Sequence, residues 1–152
     1  MQQPMTELRA RSPQPGAAID AMGLEVDELS GTRVVGHMQL GPDHHTPWGI
    51  VHGGVYAAAV ESAASLGATA ALADRGMVAV GLTNTTHFLR PLTAGLLTVR
   101  AVALNQGRTQ QLWRVDITDA QDRLIAHGEL RLQNIDIDTV KSPSKTGDSS
   151  ER

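Results

Sequence analysis

From Val55 to Leu72 the chain is apolar almost all round, and Glu61 is the only charged side chain between His52 and Asp74. Such a segment reads as a helix of about five turns that has to be covered by the rest of the fold. It falls short of a membrane span, because Glu61, Ser62, Ser65 and Thr69 interrupt it. A buried carboxylate on such a helix is costly unless something compensates for it. The helix opens on His52-Gly53-Gly54, preceded by a loop from Gly41 to Val51 with Pro42, Pro47 and Gly49. Gly-Gly at a helix start leaves bare backbone N–H groups where a developing anion is welcome.

The other elements read as strands. Val34, Gly36, Met38 and Leu40 alternate with Arg33, Val35, His37 and Gln39 after a short N-terminal hairpin. Val78–Leu82 is an apolar run, Thr83–Phe88 is rich in β-formers, and Gly95–Leu104 is β-prone up to a turn at Asn105-Gln106-Gly107. Trp113, Val115 and Ile117 alternate with polar residues, and Asp119 to Asp122 reads as a hairpin turn. In the last strand Leu124, Ala126, Gly128, Leu130 and Leu132 share one face, with Ile125, His127, Glu129, Arg131 and Gln133 on the other. This is the pattern of an antiparallel sheet with one buried face. One helix cannot cover both faces of a parallel sheet, so the expected class is α+β, with a curved antiparallel sheet of five to six strands wrapped around a central helix. The expected organisation is a flexible segment at 1–15, one domain at 16–134 and a solvated tail at 135–152.

Composition narrows the function. The 152 residues suit one domain, and a net charge of -3 gives no footprint for nucleic acid. Four aromatic residues, Trp48, Tyr56, Phe88 and Trp113, are too few for a base-stacking platform. The absence of cysteine removes disulfides, thiolate catalysis and Cys-ligated zinc, and fits a reducing cytoplasm. The N-terminus lacks signal-peptide architecture, so a cytoplasmic protein without membrane partners is expected.

Glu61 has two readings. It is a carboxylate neutralised in an ion pair or facing solvent through a gap, or it belongs to a catalytic site, where carboxylates with shifted pKa values cluster. Helix geometry bears on the second. Gly53 and Glu61 are eight residues apart, a rise of roughly 12 Å. A reacting carbonyl must lie about 3 Å from both its activating donor and its attacking group. If Gly53 N–H and Glu61 act on one carbonyl, they come from different subunits. Ser65 lies one turn beyond Glu61 on the same face, as a water-holding hydroxyl or simply a small residue for close packing. His44, His45 and His52 do not fit a metal-ligand spacing, so no metal is expected. Asp122 and His127 have a hydratase-like Asp-x4-His spacing, but a turn and a polar strand face are the wrong places for it. Arg90 and Arg108 have forks that suit phosphate.

Trp48-Gly49-Ile50-Val51-His52-Gly53-Gly54, then Glu61, then Asn84-Thr85-Thr86-His87-Phe88-Leu89-Arg90-Pro91 resembles the hotdog-fold acyl-CoA thioesterases of the phenylacetate-pathway (PaaI-type) family. The 4-hydroxybenzoyl-CoA thioesterase branch, with its helical Glu, is the nearest match. The resemblance covers about Met22 to Asn134. It implies a hotdog fold, a homodimer with a continuous sheet that often pairs into a tetramer, and hydrolysis of acyl- or aroyl-CoA to acid and CoA. No cofactor is implied, because coenzyme A is part of the substrate.

Carried over by position, Gly53 N–H polarises the thioester carbonyl, Glu61 is nucleophile or general base, and Ser65 stands where a related Thr assists the water. Thr46 occupies the place of the usual Asn or Gln, with a shorter reach, and His45 lies beside it. His52, Gly54, Asn84, Phe88, Arg90, Arg108 and Thr109 fall at positions that bind substrate. The Thr46 departure supports a different expectation, a protein that binds or senses acyl-CoA without turnover.

Overall fold

The computed structural model describes residues 22–141. The expected terminal segments lie mostly outside them. At the centre is helix α1, Gly53–Ala70. Its many alanines favour helix and keep the cylinder thin. His52 caps it, with Gly54 N–H donating to His52 Nδ1 at 2.8 Å. Tyr56, Ala59, Val60, Ala63, Ala64, Gly67 and Ala68 are buried, at the spacing of one helix face. The opposite side is only half-buried, and Glu61 is exposed. This corrects the expectation of a helix buried all round with a buried carboxylate. The protomer's sheet covers one face of α1, and Glu61 emerges beside Gly81, where a Cβ would lie 3.3 Å from its Oε1.

Among the described residues six strands wrap this helix: β1 (Glu25–Leu29), β2 (Arg33–Leu40), β3 (Met77–Phe88), β4 (Gly95–Gln106), β5 (Gln110–Thr118) and β6 (Leu124–Asp136). They form one antiparallel sheet in the order β1-β2-β4-β5-β6-β3. The expected α+β architecture is therefore what the chain adopts. Strand β3 follows α1 to the edge beyond β6, twelve residues long with one side unpaired.

The core follows the alternation read from sequence. Val34, Met38 and Leu40 of β2 and Trp113, Val115 and Ile117 of β5 are buried against α1. Glycine permits the closest approaches. A Cβ on Gly67 would meet Trp113 Cη2 at 2.4 Å, and one on Gly128 would meet Val60 Cγ2 at 2.7 Å. Beside Trp113 lies a buried amide network. Gln111 Nε2 donates to Ala68 O (3.1 Å) and Asn134 Oδ1 (3.0 Å), and Trp113 Nε1 donates to Gln111 Oε1 (3.0 Å). Buried amides are tolerated when they are bonded in this way.

Three local expectations change. The β4–β5 connection starts later than Asn105, because β4 shifts register between Ala103 and Asn105 and stays paired to Gln106. Leu124 is exposed and Ile125 buried, the reverse of the alternation, because β6 slips against β5 at Ile117/Thr118. Strand β6 also passes Asn134, pairing Asp136 with Met77, and a short helix α2 (Ile137–Lys141) follows, so order persists into the expected tail.

The expected turn at Asp119 to Asp122 is present, with Asp122 at φ 60°. Burial alone would raise the Asp119 carboxyl. Hydrogen bonds from Arg123 and from the Gln121 N–H outweigh it and hold the group below the usual carboxylate range. No helix among the described residues is long and apolar enough to cross a membrane.

Candidate active site

The loop before α1 is fixed by backbone. Thr46 N–H donates to Ile50 O (2.7 Å), Val51 N–H to Leu92 O (2.8 Å) and His52 N–H to His44 O (2.8 Å). The His45 ring bonds to Thr93 O, and Gly49 turns at φ 78°. His44 Nδ1 accepts from Gly41 N–H at 3.2 Å. The histidines are thus used in loop geometry. Among the described residues no three His, Cys, Asp or Glu side chains converge as a metal site.

This loop and the start of α1 border a cavity of about 300 Å³. Its walls include Thr46, Gly53, Phe88 and Arg90 from the expected site, together with Ile50, Val51, Tyr56, Leu89 and Pro91. The first four N–H groups of a helix have no partner within it. Here Gly54 N–H is taken by His52 Nδ1 and Val55 N–H by His52 O (3.0 Å), while Gly53 N–H has no hydrogen-bond partner among the described residues. Glycine at 53 lets the Phe88 ring lie against the helix start, because a Cβ there would fall 2.5 Å from the ring and would have to displace it. Thr46 Oγ1 already accepts from Trp48 N–H at 3.3 Å.

Other expected residues lie elsewhere. Glu61 and Ser65 are two and three turns along α1, away from this cavity's walls. Glu61 makes no ion pair among the described residues. Asn84 is committed to the scaffold: its Nδ2 donates to Ala57 O (2.9 Å), and its Oδ1 accepts from Thr86 Oγ1 (2.6 Å), tying β3 to α1. Arg108 and Thr109 occupy the β4–β5 turn, which Asn134 holds through Nδ2–H bonds to Gly107 O and Arg108 O and an N–H bond to Thr109 O. Asp122 and His127 do not meet. His127 pairs with Asp116 at 2.7 Å on the outer sheet face.

Tyr56 had no assigned role in the sequence reading. It stands three residues after Gly53, hence on the same helix face, and that spacing was the available signal. Its hydroxyl is buried without a hydrogen-bond partner among the described residues, and burial raises its pKa above the ordinary phenol value.

Residues 49–126 match the family model for the thioesterase superfamily. The chain belongs to the thioesterase superfamily. Its fold is the hotdog fold, and its reaction class is thioester hydrolysis. Thioesterase HI1161 from Haemophilus influenzae superposes with TM-score 0.76 at 29% identity, over 90% of this chain and 91% of that one. Rv1847 of Mycobacterium tuberculosis, whose esterase activity is a provisional assignment, superposes with TM-score 0.76 at 41% identity, over 78% and 95%. A 1,4-dihydroxy-2-naphthoyl-CoA hydrolase of Listeria monocytogenes is 30% identical over 106 residues, 70% of this chain and 85% of that protein.

Proposed function

We propose that this thioesterase hydrolyses acyl-CoA or aroyl-CoA thioesters to free acid and CoA, at sites shared between two copies of the chain. The observation that carries this reading is the free Gly53 N–H at the cavity, with Glu61 exposed on the same helix beyond its reach. The activity named for the Listeria relative, on a CoA thioester, supports the substrate class.

Gly53 N–H and the positive end of α1 receive the thioester oxygen and stabilise the negative charge that develops on it. The partner subunit's Glu61 supplies the attack. As nucleophile its carboxylate adds to the carbonyl carbon, the C–S bond breaks, CoA leaves as thiolate, and water cleaves the resulting anhydride. As general base it takes a proton from the attacking water, and the proton passes to the departing sulfur. Ser65 holds that water. Thr46 borders the reacting group, and Arg90, Arg108 and Thr109 contact CoA. His52 and Gly54 shape the helix start. Pairing along the open edge of β3 makes the dimer. The chemistry calls for no metal or cofactor, and the cysteine-free chain fits the cytoplasm.

Thiol release from a panel of CoA thioesters tests this. Glu61→Gln should lower kcat/KM for the best substrate by about 100-fold or more, with the thermal midpoint little changed because Glu61 makes no ion pair among the described residues. Activity equal to wild type would remove Glu61 from the mechanism. The second reading, acyl-CoA binding without turnover, is favoured by the prior engagement of Thr46 Oγ1. Tight binding with no thiol release from any thioester would establish it.

A further inference from the structure

The β4–β5 turn is held more firmly than a hairpin needs. Gly107 N–H donates to Gln110 O at 2.8 Å, which already closes the turn between paired strands. Asn134 of β6 then takes up three further carbonyls. Its Nδ2 donates to Gly107 O (3.1 Å) and Arg108 O (3.2 Å), and its N–H donates to Thr109 O (2.8 Å). Carbonyls of an exposed turn can be satisfied by water. The Asn134 bonds therefore fix the shape of the turn and do not merely supply a missing partner.

Asn134 is itself fixed. It is 5% exposed, and its Oδ1 accepts from Gln111 Nε2 at 3.0 Å. Gln111 is 2% exposed and has both ends of its amide bonded twice. Nε2 also donates to Ala68 O (3.1 Å), while Oε1 accepts from Trp113 Nε1 (3.0 Å) and Gln106 Nε2 (3.1 Å). Ala68 lies two turns beyond Glu61 on α1. A fully satisfied buried network is rigid, and this one runs from the helix that carries Glu61 to the turn. The turn keeps donors to spare. Arg108 and Thr109 are exposed, and their N–H groups have no hydrogen-bond partner among the described residues. Successive free N–H groups beside a guanidinium suit a phosphate.

We propose that Asn134 is a positioning residue for the CoA half of the substrate. Its amide, fixed to α1 through Gln111, holds the Arg108-Thr109 turn in the shape that grips the CoA phosphates. This rests on the reading above that Arg108 and Thr109 contact CoA. Asn134, buried behind the turn, acts through it and not on the substrate. A turn ordered before binding loses less freedom on binding, so affinity is gained without a new contact. The gain belongs to the CoA part alone, because the amide does nothing to the reacting bond.

The test sets the best CoA thioester of the panel against the N-acetylcysteamine thioester of the same acid, which keeps the reacting bond and lacks the phosphates. Asn134→Ala should raise KM for the CoA thioester about fivefold with kcat unchanged, the pattern of lost uniform binding. It should leave kcat/KM for the truncated thioester unchanged. Asn134→Ser, which keeps a hydroxyl donor, takes its place if the alanine variant does not fold. Equal falls for both thioesters would make Asn134 part of the scaffold only and overturn the proposal, as would no change for either. Calorimetric binding of free coenzyme A reads the same grip without turnover, and Asn134→Ala should weaken it by the same factor. Arg108→Ala separates the two readings. If it weakens CoA binding and Asn134→Ala does not, the turn contacts CoA and the proposal alone fails. If wild type binds no CoA, or Arg108→Ala leaves binding unchanged, the reading of the turn fails and takes the proposal with it, while the Glu61 test is unaffected.

Discussion

One missing carbon at Gly53 lets Phe88 lie flat on the helix start. A Cβ there would stand 2.5 Å from that ring, so Gly53→Ala must displace it. Phe88 is 57% exposed and free to swing, so the variant should fold. Thioesterase activity should nevertheless fall at least tenfold, because the displaced ring reshapes the cavity mouth. Adding Phe88→Ala should recover part of the loss. A double-mutant cycle should give a coupling of about 0.5 kcal/mol or more, the scale seen for residues in contact. Strict additivity would show that the clash is not the cause. Gly53 was legible from sequence because helix-end N–H groups follow from backbone rules alone. Glu61's exposure was not. Seven alanines and few charges look buried on every side, and sequence does not say that the protomer's own sheet covers only one of them. Tyr56's solitary hydroxyl was also hidden, because it is defined by what surrounds it in space.

Among the elements, α1 and β5 meet most tightly at Gly67 and Trp113. In an ordinary helix interior Gly→Ala stabilises by about 1 kcal/mol. Here the new methyl would sit 2.4 Å from Trp113 Cη2 and 2.9 Å from Val34 Cγ2. Trp113 is fully buried and has nowhere to go. Overpacking typically costs about 1–3 kcal/mol, which outweighs the propensity gain. Gly67→Ala should therefore lower the urea midpoint with the m-value unchanged, and a raised midpoint would contradict the packing. The strands with clean alternation, β2 and β5, were readable in advance because both lie against one core face. Two of the misread places share one cause. At Leu124/Ile125 and at Asn105 the pairing slips by a residue, and a slip exchanges the faces of a strand without altering its composition.

For the whole molecule the two ends of the sheet differ. Strand β1 is a five-residue edge bearing Glu25, Asp27 and Glu28. Short, charged edges resist pairing with another chain. Strand β3 is a twelve-residue edge with exposed Leu82 and Phe88, and a long unguarded edge invites it. If Gly53 of one protomer works with the partner subunit's Glu61, two impaired variants should complement each other. Co-expressed Gly53→Ala and Glu61→Gln chains that pair at random in a two-fold dimer should show about a quarter of wild-type kcat. Half of such dimers are mixed, and each mixed dimer keeps one intact site. No recovery in mixed dimers isolated by differential tags would place both groups in the same chain.

The strand order also sets a timetable. Helix α1 is made before β3, β4, β5 and β6, yet Gly67 waits for Trp113 and Val60 for Gly128. At cellular elongation rates that interval is on the order of a few seconds. Among the described residues, β1 and β2 are the strands that precede the helix, and they too await β4 and β5 before the sheet is joined. An alanine-rich helix therefore spends the longest part of its synthesis without its core. Its weak stickiness, compared with a leucine-rich cylinder of the same length, is an asset to a nascent chain that must stay unaggregated until its last strand arrives.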